Sequence, residues 1–329
     1  METVVEPATV PAAPSTGERI RGFLKRNVVA VAFVALFAVA AVASKGAFVK
    51  PTNLINVLAQ NCVAGVLAVG QTLVILTAGI DLSLGYITGL AAMVMLMAQG
   101  WGFWLAFALG LAVGLVCGVI NGVLVSVMRV PAFIGTLGMM QVAMGISYVL
   151  GNGVSVYEKD HEPLLFGYDK IGPIPAVVIV WALVTALAWF VTKRTRYGEY
   201  IYAVGGNPRT ARASGIPTTR VLIFVYTFAA FCSVVAAVLS INRLGYTQPN
   251  LGDTLQMASI APVVVGGTSL LGGVGGVGKT IAGVLVVGIL NNIMVLLGVN
   301  QSIQRAVQGV IIIGVVFLFV RQDIANRNR

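Results

Sequence analysis

Apolar runs of nearly membrane-spanning length alternate with short polar segments along almost the whole chain. A helix needs about 20 consecutive apolar residues to cross the hydrocarbon core of a bilayer. The pattern therefore predicts an all-α polytopic membrane protein with about ten transmembrane helices. The predicted spans are residues 28–43, 54–78, 80–99, 102–127, 131–150, 173–192, 221–241, 255–271, 280–297 and 301–320.

Two parts of this pattern depart from uninterrupted spans. No polar loop separates the second predicted span from the third, and the span at 255–271 is short and ends in glycines. We expect broken or re-entrant helices near 78–83 and 255–279. Broken helices in transporters often line the path of the solute, so a path is expected at these places.

Composition supports a membrane protein and excludes several other classes. Hydrophobic residues make up 58% of the chain and charged residues 10%, whereas a soluble domain carries about 25% charged residues. Cys62, Cys117 and Cys232 lie inside apolar runs and have neither a disulfide framework nor zinc-ligand spacing. The single histidine, His161, lies in a polar loop. We therefore expect no metal site and no cofactor.

The basic residues indicate membrane topology rather than nucleic-acid binding. The net charge is +10, but the 21 lysines and arginines are spread between apolar runs and form no single patch. With the N-terminus in the cytoplasm, six of the 21 face outward and the other 15 face inward. The outward six are Lys45, Lys50, Lys159, Lys170, Arg243 and Arg305. The positive-inside rule then predicts that both termini are cytoplasmic.

The predicted organisation is a disordered cytoplasmic tail at 1–26, a transmembrane domain at 27–321 and a cytoplasmic tail at 322–329. The basic residues before the first apolar run also resemble a signal peptide, with Val42-Ala43-Ser44 as a possible cleavage site. We favour an uncleaved first helix, because the spans that follow need one to orient them.

Two predicted loops are long. Residues 151–172 face outward and contain four of the 11 acidic residues, namely Glu158, Asp160, Glu162 and Asp169. Residues 193–220 face inward and carry six basic residues against one acid, Glu199. Asn207 followed by Pro208 predicts the start of a short surface helix, because asparagine caps helices and proline suits their first position.

Polar side chains inside the predicted spans are candidates for a solute path. An embedded carboxylate such as Asp81 is costly unless it is paired or faces water, so it indicates either function or a cap for the helix that begins there. Buried amides either bind a hydroxylated solute or join helices. The path candidates are Asp81, Asn61, Gln71, Asn121, Gln141, Asn291 and Asn292, with Asn56 and Gln60 as further amides. No basic residue is predicted deep in a span, which favours a neutral polar solute.

Residues 273–280 match the P-loop pattern G-x-x-x-x-G-K-[ST], from Gly273 to Thr280. A functional P-loop follows a strand and opens a soluble helix, whereas here an apolar span follows directly. We interpret the match as accidental, with Lys279 at the cytoplasmic interface. No set of nucleophile, base or metal ligands indicates an enzyme.

Three segments resemble the signatures of ribose-type permeases, the membrane subunits of ATP-binding-cassette sugar importers. They are VGQTLVILTAGIDLSLG at 69–85, YGEYIYAVGGNPRTARASGI at 197–216 and VVGGTSLLGGVGGVGKTIAGVLVVGILNNIMVLLGV at 264–299. The resemblance implies a bacterial inner-membrane permease that works as a pair and carries no ATPase of its own. It also implies separate ATPase subunits at the cytoplasmic face and a periplasmic or lipid-anchored sugar-binding protein outside.

By the same resemblance, 193–220 is the loop that couples the permease to its ATPase. The residues that match the pattern of this loop are Gly205, Gly206, Asn207, Ala211, Ser214, Gly215 and Ile216. Arg209 and Arg212 in the same segment are further candidates for coupling to the ATPase. Glu199, Thr210 and Lys279 depart from what is usual in the family, and we expect the first two to be surface changes.

The predicted function is uptake of a sugar or sugar-like neutral solute, driven by ATP hydrolysis in partner subunits. The alternative is a secondary transporter driven by protons or sodium. That alternative needs a titratable relay, and Asp81 without an intramembrane histidine or glutamate supports it weakly.

Overall fold

A computed structural model describes residues 28–159, 170–300, 302–311, 313–314 and 317. The two predicted tails, 1–26 and 322–329, lie outside the described residues. So does the middle of the loop at 151–172, including Asp160, His161, Glu162 and Asp169. The predictions made for these residues therefore stay predictions.

Helices make up most of the described structure, as the apolar pattern predicts. They are α1 Val28–Ala43, α2 Pro51–Leu76, α3 Leu84–Ala98, α4 Phe103–Ser126, α5 Ala132–Leu150, α6 Ala176–Arg194, α7 Arg196–Gly206, α8 Pro208–Ala213, α9 Thr218–Leu244, α10 Gly252–Val265 and α11 Val277–Leu296. Residues 302–311 are also helical, and a short 3₁₀ turn, Gln99–Trp101, follows α3.

Seven helices among the described residues are long and apolar enough to cross a membrane. They are α2, α3 with its 3₁₀ turn, α4, α5, α6, α9 and α11. The polytopic, helical fold is thereby confirmed. The count of about ten spans and the cytoplasmic position of both termini stay predictions.

Four two-residue strands lie outside the helices. Strand β1, Val156–Tyr157, pairs antiparallel with β4, Tyr246–Thr247, while β2, Lys170–Ile171, pairs with β3, Ile174–Pro175. The β1–β4 pair joins the loop after α5 to the segment after α9. The connections after α5 and after α9 are therefore held together by backbone hydrogen bonds.

The core of the bundle consists of α2, α3 and α9, whereas α4, α5 and α6 are largely exposed along their lengths. Glycines allow the close approach of helices, as in membrane proteins generally. A β-carbon on Gly118 of α4 would lie 2.5 Å from the β-carbon of Ala230 in α9. The exposed apolar side chains of the outer helices, such as Trp104 and Val149, have the character that lipid contact requires.

The helical structure is interrupted at 77–83, at 245–251 and at 266–276. The predicted interruption near 78–83 is present, and the third span begins at Leu84 rather than at residue 80. The span predicted at 255–271 was wrong at both ends, because α10 begins at Gly252 and ends at Val265. Gly267 has φ +89°, a left-handed conformation that ends the helix.

Candidate functional site

Asp81 lies in the interruption between α2 and α3, with 1% of its surface exposed. Its Oδ1 accepts hydrogen bonds from the Ser83 backbone N–H at 2.8 Å and from the Ser83 hydroxyl at 2.6 Å. Its Oδ2 accepts one from the Asn121 amide at 3.3 Å. Ser83 itself is the residue that precedes α3. Asp81 therefore stabilises the turn before the helix, rather than capping its first turn.

Two further side chains bind the backbone of this interruption. With its amide oriented to satisfy both groups, Gln71 donates to the carbonyl of Asp81 and accepts from its N–H, each at 3.2 Å. The Thr136 hydroxyl on α5 accepts from the Leu82 N–H at 3.1 Å. An unwound backbone inside a membrane must find such partners, since lipid supplies none. Asp81, Gln71, Thr136 and Asn121 are named the interruption cluster below.

The segment at 193–220 forms the two short helices α7 and α8. Asn207 precedes α8 and accepts hydrogen bonds from the N–H groups of Arg209 and Thr210, each at 3.0 Å, with Pro208 at the first helical position. The predicted short helix is therefore present. Of the residues predicted to couple to the ATPase, Gly205 and Ala211 are buried. The exposed ones are Gly206, Asn207, Arg209, Arg212, Ser214 and Gly215. Glu199 and Thr210 are exposed as well.

Gly205 at the end of α7 lies against the interruption. A β-carbon on Gly205 would lie 2.7 Å from the backbone nitrogen of Gly273, and that nitrogen donates to the Leu76 carbonyl at 3.0 Å. The Tyr202 hydroxyl of α7 donates to the Gly275 carbonyl at 3.1 Å, and burial raises the pKa of this tyrosine. Helix α7, the end of α2 and the turn at 266–276 therefore form one contact region.

The P-loop match at 273–280 belongs to this turn and to the start of α11. The N–H of Gly276 donates to the Thr268 hydroxyl at 3.3 Å, so this amide is not available to a phosphate. Thr280 is fully buried, with its hydroxyl 2.6 Å from that of Thr72 on α2. A working P-loop needs that hydroxyl on magnesium and its amides on phosphate. The geometry supports the interpretation of an accidental match.

A cavity of about 460 Å³ lies between α2, the end of α9, α10, α11 and the helical segment at 302–311. Its volume is within the usual range for small-molecule sites. Its lining residues are Gln60, Asn61, Arg243, Asp253, Thr254, Met257, Ala258, Gly288, Asn291, Val295, Gln304, Arg305, Gln308 and Gly309. Two of the predicted path residues, Asn61 and Asn291, are among them.

The structure places the other predicted path residues elsewhere. Gln71 and Asn121 belong to the interruption cluster with Asp81. Asn292 forms a reciprocal amide pair with Asn53 of α2, with N···O distances of 3.1 and 3.0 Å. Gln141 on α5 is exposed, as is the further amide Asn56 on α2. The predicted set is therefore divided between a cavity, a buried cluster, a helix-joining pair and the surface.

Three charged cavity residues were missed as site residues. Arg243 and Arg305 were assigned to outer loops, and Asp253 lies two residues before the predicted start of its span. The sequence favoured a neutral solute because no basic residue was predicted deep in a span. Two arginines line this cavity, so that reason does not apply to it. A charged residue beside a short, glycine-terminated span is the signal that would have indicated Asp253. Among the described residues, no group of three histidine, cysteine or acidic side chains is placed to bind a metal ion.

Comparison with known proteins assigns this chain to a family. The family described as branched-chain amino acid transport system, permease component, matches residues 53–316. The ribose import permease of Bacillus subtilis is 39% identical over 294 residues, 87% of this chain and 91% of that protein. That of Escherichia coli K12 is 38% identical, over 86% of this chain and 90% of the relative. A fructose import permease of Rhizobium meliloti is 34% identical, over 82% of this chain and 78% of that relative. No solved structure matches the chain significantly.

Proposed function

The chain belongs to the family of permease components of branched-chain amino acid transport systems. On this basis we propose which solute it carries and what drives the transport. It is the membrane subunit of an ATP-binding-cassette importer, and it carries a sugar or sugar-like neutral solute. Its relatives include import permeases for ribose and for fructose and a D-allose transport system permease, which supports a sugar in particular. ATP hydrolysis takes place in separate subunits.

The observation that carries this proposal is the contact of α7 with the interruption between α2 and α3. The outer surface of α7 and α8 is polar and carries Arg209 and Arg212, while Gly205 lies directly on the end of α2. A partner that moves α7 therefore moves the end of a core helix. This is the mechanical link that an importer needs if its energy source lies in another subunit.

The lining of the cavity supports a sugar-like, neutral solute. Amide side chains such as those of Gln60, Asn61 and Asn291 can both donate and accept hydrogen bonds. Hydroxyl groups of a sugar have the same dual character, so they pair with such a lining without a net charge on the solute. The cavity lies at a distance from α7 along α2, since Asn61 and Leu76 are 15 residues apart on one helix.

The proposed topology has about ten spans with both termini in the cytoplasm of a bacterial cell, in its inner membrane. The distribution of basic residues supports this orientation. The segment at 193–220 then docks the ATPase subunits, and the outer loop at 151–172 receives the binding protein. A second copy of the chain completes the permease, as the family resemblance implies. The interruption cluster maintains the broken helix and is not itself the solute path.

Proteoliposomes test the function directly. The chain is reconstituted with its ATPase subunit and its sugar-binding protein, and uptake of D-ribose is measured with and without ATP. In a matched variant, residues 207–216 are replaced by a glycine-serine segment of equal length. We expect this variant to insert into the membrane normally but to lose ATP-dependent uptake. Uptake that survives the replacement would show that 193–220 does not couple the subunits.

The same preparation distinguishes the alternative, a transporter driven by an ion gradient. Asp81 is its main candidate relay, but three hydrogen bonds hold this carboxylate in a buried turn. We expect uptake to stop when ATP is removed and to continue when an uncoupler collapses the proton gradient. The reverse result would establish a secondary transporter.

A further inference from the structure

The N-terminal ends of two helices that follow interruptions, α3 and α10, meet next to the cavity. A β-carbon on Gly85 would lie 2.7 Å from the backbone nitrogen of Gln256, and one on Gly252 would lie 2.5 Å from the ring of Tyr86. Real β-carbons are not found so close to a backbone atom or a packed ring. Glycine at both positions therefore allows α3 and α10 to approach, and the approach determines where Tyr86 points.

Tyr86 points at Asp253. Its hydroxyl donates to the Asp253 Oδ1 at 2.5 Å, the short distance typical of a hydrogen bond to a carboxylate. The other oxygen, Oδ2, accepts no hydrogen bond from the described part of the chain. Asp253 is exposed and lines the cavity. One carboxylate oxygen is thus held by the protein, and the other is available to a ligand.

The cavity lining then has three kinds of hydrogen-bonding group. Asp253 can only accept, the guanidinium groups of Arg243 and Arg305 can only donate, and the amides do both. Arg243 already donates to the Gln60 carbonyl at 3.0 Å, which holds it at the cavity wall. A ligand with several hydroxyl groups satisfies donors and acceptors together. An anionic ligand satisfies the guanidinium groups but meets the Asp253 carboxylate with like charge.

We propose that Asp253 is the specificity-determining acceptor of this cavity, that Tyr86 positions its carboxylate, and that the ligand is a neutral polyhydroxylated solute bound through its hydroxyl groups. This inference rests on the proposed function, since it assumes that the cavity is on the solute path. It goes further in assigning the selection of the solute to one residue and in excluding sugar acids.

A thiol-protection experiment tests the inference without requiring transport. Met257 lines the same cavity and is 51% exposed, so Met257→Cys introduces a reactive thiol there. The native cysteines at 62, 117 and 232 are buried and provide a slow background. Labelling of the full chain by a polar maleimide is followed with increasing D-ribose, D-fructose, D-allose or D-gluconate. We expect at least one neutral sugar to slow the labelling and gluconate to have no effect.

Variants in the Met257→Cys background identify the residue responsible. Asp253→Asn keeps the size of the side chain but removes its charge, and we expect the sugar concentration for half-protection to rise at least about tenfold. Tyr86→Phe removes only the positioning hydroxyl. We expect a smaller rise with gluconate still rejected, because the Asp253 charge remains, whereas Asp253→Asn should also lose the rejection of gluconate. Tyr197→Phe is the matched control and should leave protection unchanged, because Tyr197 is an exposed tyrosine of α7 outside the cavity lining.

The inference is overturned if no neutral sugar protects residue 257, if gluconate protects as well as the sugars, or if Asp253→Asn is protected like the parent chain. These outcomes are separate from a failure of the proposed function. A chain that fails in ATP-driven uptake but shows Asp253-dependent protection would refute the importer and keep the sugar site. A chain that imports ribose but shows no such protection would keep the importer and refute the site.

Discussion

Gly205 and Leu76 are in contact through their backbones, with no side chain between them. A β-carbon on residue 205 would overlap the carbonyl oxygen of Leu76. The same oxygen accepts the hydrogen bond of the Gly273 N–H at 3.0 Å. This contact joins the surface helix α7 to the point where α2 ends, so the proposed coupling route begins here.

Gly205→Ala should therefore separate α7 from α2 and greatly reduce ATP-driven uptake. The matched control is Gly206→Ala, because a β-carbon there meets no atom within 4 Å. Alanine favours a helix over glycine by about 1 kcal/mol at either position, so helix propensity alone predicts no loss. The measurement is the initial rate of ATP-driven D-ribose uptake per inserted chain. Equal rates in the two variants would exclude this contact from coupling.

Asp81→Ala should destabilise the protein by about 3 kcal/mol, because it leaves buried donors of Ser83 and Asn121 without their acceptor. Asp81→Asn keeps an acceptor and should cost less. The measurement is thermal unfolding in detergent, with the exposed Glu199→Gln as a control that should not change it. An Asp81→Ala variant that unfolds like the wild type but transports nothing would instead place Asp81 on the solute path.

The purified chain without its partners should bind no ATP. Lys279→Ala should leave the ATPase activity of the assembled complex unchanged. Thr280→Val should act on stability alone and cost about 1 kcal/mol, because it removes the hydroxyl that lies 2.6 Å from that of Thr72. Equilibrium binding of a fluorescent ATP analogue tests the first statement. Binding by the isolated chain that disappears in Lys279→Ala would make the P-loop match functional.

The Asn53–Asn292 pair should show energetic coupling in a double-mutant cycle. Asn53→Leu leaves the Asn292 amide unpaired, and Asn292→Leu leaves the Asn53 carbonyl oxygen without its donor, although the Asn53 Nδ2 still donates to the Phe48 carbonyl. The double change removes both polar groups. We expect the cost of the double variant to be about 1 kcal/mol below the sum of the single costs. Asn56→Leu, at an exposed site on the same helix, should be nearly neutral. Additive costs would show that the pair contributes no coupling.

Local patterns in the sequence were sufficient for much of the fold. The apolar runs predicted the helical spans, because lipid requires every spanning backbone group to be paired within a helix. Asn207 and Pro208 predicted the start of α8, because a cap acts on the next few residues of the chain. The interruption near 78–83 was predicted because two apolar runs meet there without a polar loop between them. Asp81 in the same place is costly inside an apolar helix.

The roles of the polar residues were less predictable. Asn291 and Asn292 are adjacent and chemically identical, yet Asn291 lines the cavity and Asn292 pairs with Asn53. Successive residues of a helix point about 100° apart, so the neighbouring helices decide what each one meets. Asp253 was missed for a related reason. Its partner, Tyr86, is 167 positions away in the chain.

The sequence by itself determined a polytopic helical membrane protein, its main spans, the helix after Asn207 and the family to which it belongs. These depend on hydropathy, on capping and on ordered signatures, all of which act over short stretches of chain. Only the tertiary structure decided that Gly205 contacts Leu76, that Asp81 holds a turn and that Asp253 lines a cavity. Each of these depends on which helices pack together, and close packing between distant segments is not recorded in any local pattern.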